Sequence, residues 1–209
     1  MKNILYFTFY FIFNYMIHIN IPYICGVNIV PFVHAFITAY NSNYLFINDT
    51  NTFLNITKYK SNEINQLYQT LPIFTLCYSL FHLYDVLKLK SDFIIHGILL
   101  LSTSLFCQVF DKNHCLTVCL IIESSTIFMH LSRAFSYFYL KILFFITFIL
   151  YRGILFPCIT YNHFYNNYEK IVNIEFEETI ILILALSFNI LNMYWLKIIF
   201  ERIIYKKYD

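Results

Sequence analysis

The chain reads as an all-α polytopic transmembrane helical bundle of about seven spans (six to seven), and three observations predict it. Hydrophobic residues make up 59% of the 209 and charged residues only 12%, where a soluble domain carries roughly 25% charged residues. The apolar residues fall into long stretches joined by short polar segments. With Gly 3 and Pro 4, no flexible linker separates two domains. The formal charge of +2 and the lack of a basic patch exclude nucleic acid as a partner.

A helix rises about 1.5 Å per residue and the hydrocarbon core is roughly 30 Å thick, so about 20 mostly apolar residues cross it. Seven stretches meet that measure, at about 4–24, 27–46, 71–87, 93–110, 115–131, 137–157 and 179–200. The first has only Lys2 before it and resembles a signal peptide in that respect. No polar cleavage region with small residues follows, so 1–26 is expected to be retained as an N-terminal transmembrane helix or signal anchor. The remaining six spans form one unit over 27–207, with 208–209 ending the tail.

Orientation follows from Lys and Arg in the short joints. One side holds Lys88, Lys90, Arg133, Lys141, Arg202, Lys206 and Lys207, whereas the other holds Lys2, Lys58, Lys60, Lys112 and Lys170. The richer side is expected in the cytosol, with the C-terminus. Asn48-Asp49-Thr50 and Asn55-Ile56-Thr57 then lie in the lumen, where N-x-[ST] acceptors are glycosylated. Lys206-Lys207-Tyr208-Asp209 has the dilysine form that retrieves membrane proteins to the endoplasmic reticulum, or else is a basic stop-transfer flank. Such a tail is an address and anchors nothing.

Ionisable groups inside a span are expensive unless paired or hydrated, which makes each a functional candidate. They are His34, His82, Asp85, His96, Glu123, His130 and Arg152. His82 and Asp85 share a helical face at i,i+3, either as a snorkelling pair or as an imidazole oriented by a carboxylate. Glu123 and His130 share another face, with Ser124, Ser125 and Thr126 between them as a polar seam. Glu123 is the deepest acid, suited to a ligand cavity, catalysis or an interhelical bond, and Arg152, five residues before Pro157, is its opposite charge. His34 reads as a satisfied donor or a ligand contact. Asn189 and Asn192 read as interhelical glue, and Trp195 as a belt residue at the boundary. The six cysteines lie in or beside apolar stretches as soft core residues. Cys115 and Cys119 beside His114 lack the second ligand pair a zinc site needs, so no metal and no cofactor is expected. No phosphate-cradling glycine loop, no nucleophile elbow and no desaturase histidine cluster is present.

Taken in order, these polar elements resemble the TLC domain, shared by ceramide synthases, translocon-associated TRAM proteins and small lipid-homeostasis proteins. His34-Ala35 with Tyr40, Tyr84-Asp85, Asp92 followed by His96, Glu123-Ser124-Ser125-Thr126-Ile127-Phe128, Arg152 with Pro157, and Leu191-Asn192-Met193-Tyr194-Trp195 carry the resemblance, which covers about 31–207. Gly97 stands where the family's second paired histidine would be. Ile127 replaces a proline, His130 stands where an asparagine is usual, Arg133 is displaced by one position, and the His-Asp-x-x-Asp segment of ceramide synthases is not found.

The resemblance implies a protein of lipid homeostasis, lipid binding or trafficking with an intramembrane cavity. Its partner would be a membrane lipid, such as a sphingolipid or acyl-CoA. His96, Asp85 and Glu123 would be the catalytic candidates, and His34, His82, His130, Arg152 and Asn192 the ligand-binding ones. The alternatives are a ceramide synthase-like sphingoid-base N-acyltransferase, which the single histidine at 96 equips poorly, and a structural translocon-associated protein.

Overall fold

The computed structural model describes residues 2–20, 23–24, 27–48, 50, 62–87, 91–135 and 137–205. Helix α1 (Lys2–Asn20) is followed by a two-residue antiparallel pair, β1 (Tyr23–Ile24) with β2 (Val27–Asn28), that leads directly into α2 (Ile29–Asn48). Then come α3 (Asn62–Val86) and α4 (Ser91–Val109). The fifth rod is α5 (Asn113–Cys119), a 3-10 turn (Leu120–Ile122) and α6 (Glu123–Ala134). The sixth is α7 (Phe138–Phe148), a π-helical segment (Ile149–Leu155) and α8 (Phe156–Asn166). A short α9 (Tyr168–Val172) precedes the long α10 (Phe176–Tyr205).

A helical rod thus occupies each of the seven apolar stretches, and the chain is a helical membrane bundle. Among the described residues, Asn113–Ala134, Phe138–Asn166 and Phe176–Arg202 are long and apolar enough to cross a membrane, and Phe93–Val109 is a shorter apolar helix. Two boundaries move from the sequence expectation. The third rod begins at Asn62, because Glu63, Gln66 and Gln69 are good helix formers that continue the turn beyond the apolar stretch. The sixth runs past Pro157 to Asn166 instead of ending there. Pro157 has no N–H to give, and the wider π turn just before it absorbs the loss, with Phe156 N–H bonding Tyr151 O five residues back.

Helix α3 packs against α1, α2, α4 and α5, α4 continues to α10, and α10 lies against the π segment and α8. The circuit closes through α7 to α6 and α6 to α2. Ala35 and Ala39 are fully buried on α2, where small side chains let backbones approach closely. Ser42 Oγ donates to Thr117 O at 2.8 Å, tying α2 to α5. Tyr78, Leu100, Ile121, Phe156 and Phe188 fill the centre, and Leu71, Cys107, Cys115 and Ile181 form a second cluster. Cys158 is turned outward. Large apolar residues such as Phe138, Ile190 and Val109 stay exposed, as an outer face solvated by lipid tails requires.

Candidate functional site

The π segment matters first because it holds Arg152. Widened turns of this kind recur at functional sites, since the extra residue redirects a side chain. Here Arg152 is buried between three rods. Its Nε donates to Ser125 Oγ at 2.9 Å, Nη2 to Thr126 Oγ1 at 2.8 Å, and Nη1 to Asn192 Oδ1 at 3.0 Å. The Glu123 carboxylate meets Nη2 at 3.5 Å, and Phe148 and Trp195 lie 5.4 and 5.9 Å from the guanidinium carbon. The expected opposite charges therefore pair across α6 and the π segment. Ser125 serves the polar seam in two ways, accepting from Arg152 while donating to Ile122 O at 2.9 Å.

A second chain of contacts starts on α2. His34 is fully buried, bonds Thr75 Oγ1 at 3.2 Å and stacks on Tyr78 with ring centres 3.9 Å apart. Tyr78 OH bonds His82 Nδ1 at 3.1 Å, and His82 Nε2 faces His96 Nδ1 at 3.3 Å. His82 stands on α3 and His96 on α4, so the second imidazole that Gly97 denies the sequence arrives from the neighbouring helix. Trp195 joins the two assemblies: its ring lies 5.3 Å from that of His96 and also faces Arg152.

His34, His82 and His96 are thus linked, as are Glu123, Arg152 and Asn192. Asp85 sits at i+3 from His82, half-buried near the end of α3. His130 is buried one face along α6, edge-on to Phe32 at 6.4 Å and apart from the Arg152 network. Trp195, expected as a boundary belt residue, also lies over Arg152, which the sixth rod brings to its ring. Thr75 and Tyr78 were missed, although Thr75, Tyr78, His82 and Asp85 form a stripe at i, i+3, i+7 and i+10 that is legible in the sequence.

His96 and Glu123 line an internal void of about 40 Å³ that extends between Leu100, Cys107, Ile181 and Phe188, room for roughly one or two waters. This void by itself is smaller than the lipid-sized cavity the resemblance implies, and Phe156 also lines it. The larger concavity, about 460 Å³, lies on the outer face between α2, α6 and α7. Among the described residues, no group of three or more His, Cys, Asp or Glu is placed to hold a metal ion.

Neither a search of curated proteins nor one of solved structures gives a match. The family model described as TLC domain matches residues 5–201, which takes in α1 and both linked assemblies. With an all-helical bundle, spanning rods and this match over nearly the whole length, the chain is an integral membrane protein that belongs to the TLC-domain family.

Proposed function

We propose that this protein binds or carries a membrane lipid, engaging its polar part with Glu123, Arg152, Asn192, His96 and His82. The observation that carries the reading is the Glu123–Arg152 pair, buried at 3.5 Å beside Asn192, whose Nδ2 is buried with no hydrogen-bond partner among the described residues. A purely structural bolt saturates its buried donors. Here a donor and a loosely held carboxylate remain for an added hydroxyl, amide or water. The void beside them is apolar along its length, and a chain following the polar group enters by parting α4 from α10. His34 supports the cluster from behind through Tyr78, His130 stands on a separate face of α6, and residues 27–207 act as the lipid-handling unit with 1–26 as its anchor.

The test is lipid content. The full chain purified from membranes in mild detergent should carry a defined lipid by mass spectrometry. Glu123→Gln should lower its occupancy about five- to tenfold, the scale of one lost charge-assisted hydrogen bond. Equal lipid content in both proteins would overturn the proposal.

A second reading has its own support. The His82–His96 contact at 3.3 Å supplies two adjacent imidazoles, which an N-acyltransferase acting on a sphingoid base and acyl-CoA would use. His96 would take the amine proton as nitrogen attacks the thioester carbonyl, with Asp85 and Glu123 as orienting acids and the CoA thiol leaving. Ceramide formed by microsomes from sphinganine and acyl-CoA, and lost in both His96→Ala and His82→Ala, would favour it over simple carriage. A translocon-associated structural role requires neither outcome.

We place the protein in the endoplasmic reticulum with its C-terminus in the cytosol. Residues 206–209, and with them the dilysine tail, lie outside the described residues, as do Asp49 and Asn55-Ile56-Thr57. Asn48 ends α2, where its Nδ2 donates to Tyr44 O at 2.7 Å. A glycan at Asn48 or Asn55, removable by endoglycosidase, is the expected result, and an unmodified chain in glycosylating microsomes would count against this orientation.

A further inference from the structure

The outer concavity differs from the rest of the exposed surface. It runs along α2 from Phe36 to Ile47, roughly 16 Å at a helical rise, with α6 and α7 as its other wall. Tyr40, Ile47 and Phe128 form its sides, and among the described residues none that lines it is Asp, Glu, Lys, Arg or His. Its floor is polar. Asn43 Nδ2 donates to Ser124 Oγ at 2.7 Å, and Tyr151 OH donates to Asn43 Oδ1 at 3.2 Å.

The depth of that floor is informative. Tyr151 stands near the middle of the rod Phe138–Asn166, with roughly 20 Å of helix on either side. Hydrogen-bonding groups on a lipid-facing surface at such depth are costly unless an occupant uses them. Both Asn43 amide hydrogens are used, since Nδ2 also donates to Ala39 O at 2.7 Å, while Oδ1 keeps one lone pair. Ser124 accepts from Asn43 and keeps its own proton, and Tyr151 keeps an acceptor lone pair. A hydroxyl placed between them can accept from one and donate to the other. Without a charged lining residue the groove offers nothing to a phosphate or an ammonium, and charged head groups stay at the interface in any case. Its volume of about 460 Å³ falls in the range that one compact ligand fills.

We propose that this groove is a lipid site separate from the central cluster, holding a single-chain lipid whose polar group is an uncharged hydroxyl bound between Ser124 and Tyr151. The chain lies along α2 against Tyr40 and Ile47. The site rests on its own residues and does not depend on the central cluster binding anything.

The test uses the full chain reconstituted in phosphatidylcholine vesicles with a diazirine-bearing long-chain alcohol, photolysed, digested and mapped by mass spectrometry. Adducts should concentrate on Tyr40, Ile47 and the half-buried Phe128 over Ile190, which is about as exposed on α10 as Tyr40 and Ile47. Ser124→Ala with Tyr151→Phe should lower alcohol labelling of the groove at least about fivefold, the lower end for the loss of two neutral hydrogen bonds. The same variant should leave labelling by a diazirine phosphatidylcholine unchanged. Ile127→Trp, which fills the groove, should abolish the preference while leaving Ile190 labelling intact. Equal labelling of Ile190 and the groove, an unchanged ratio of alcohol to phosphatidylcholine adducts in the double variant, or preference for a diazirine sterol would each overturn the assignment. Glu123→Gln should leave groove labelling as it is, so failure here is distinguishable from failure of the central lipid site.

Discussion

Among the described residues, two ionic assemblies tie helices together, and they are built differently. At one end, Lys112 Nζ lies 2.8 Å from Glu177 Oε2 and 2.8 Å from Glu178 Oε1, while the other Glu178 oxygen meets His163 Nε2 at 3.3 Å. Both Lys112 contacts there are short, the Glu178–His163 contact is looser, with His163 Nε2 buried outside hydrogen-bond geometry, and Glu177 is 45% exposed at its side chain. In the interior, Glu123 and Arg152 are 9% and 5% exposed yet 3.5 Å apart, and Arg152 spends its best hydrogen bonds on Ser125, Thr126 and Asn192. The end cluster closes the α4–α5 joint onto α8 and α10, as a structural tie should. The interior pair is kept at a place where desolvation is most costly and geometry least complete. Selection for stability alone replaces such a pair with apolar side chains.

The largest effect that separates the two should come from Arg152→Leu. Removing one partner of a buried pair costs about 3–5 kcal/mol, and here Asn192, Ser125 and Thr126 lose their donor as well. Thermal unfolding in detergent should show it as a large drop in Tm. Glu123→Leu combined with Arg152→Leu should recover much of that loss while lipid content stays low. A double variant as unstable as the single would mean that the pair is a bolt after all, and the contrast with the end cluster would vanish.

Lys112→Met should have a smaller effect, about 1 kcal/mol for a partly exposed network, and the loss should shrink further in high salt because exposed charges are screened. Burial works against the Lys112 charge, but the hydrogen bonds to Glu177 and Glu178 outweigh it and hold the ammonium pKa above its usual value. A raised folded-state pKa gives stability that is complete below the ordinary lysine value and fades as pH climbs through the folded one. The Lys112 contribution should therefore be flat across neutral pH and decline only in strong alkali. Salt-insensitive destabilisation as large as that of Arg152→Leu would place the two clusters in one class.

The contrast between the clusters was only partly legible in the sequence. The seven rods follow from apolar length, which the bilayer sets directly, and the Glu123–Arg152 pairing follows from the rule that an intramembrane charge seeks its opposite. The contact of His82 with His96 was not legible, because the rotation of α3 against α4 is set by packing, with Tyr78 and Leu100 in one apolar cluster and Leu71 and Cys107 in another, and apolar residues name no partner in the sequence. The Arg152–Trp195 contact was hidden for the same reason, since distance along α10 places Trp195 but says nothing of what the π turn brings to its ring.

The smallest effect concerns that π turn. Gly153 follows Arg152, and a Cβ added there would meet Leu196 Cδ2 at 3.7 Å and Ile149 Cγ2 at 3.9 Å, ordinary van der Waals separations. Alanine in a helix is favoured over glycine by up to about 1 kcal/mol because less backbone entropy is lost. Gly153→Ala should therefore leave the fold intact and raise Tm slightly, with lipid content unchanged. A marked fall in Tm would mean that the widened turn needs glycine to aim Arg152 inward, in which case the interior pair depends on backbone geometry that the end cluster does not require.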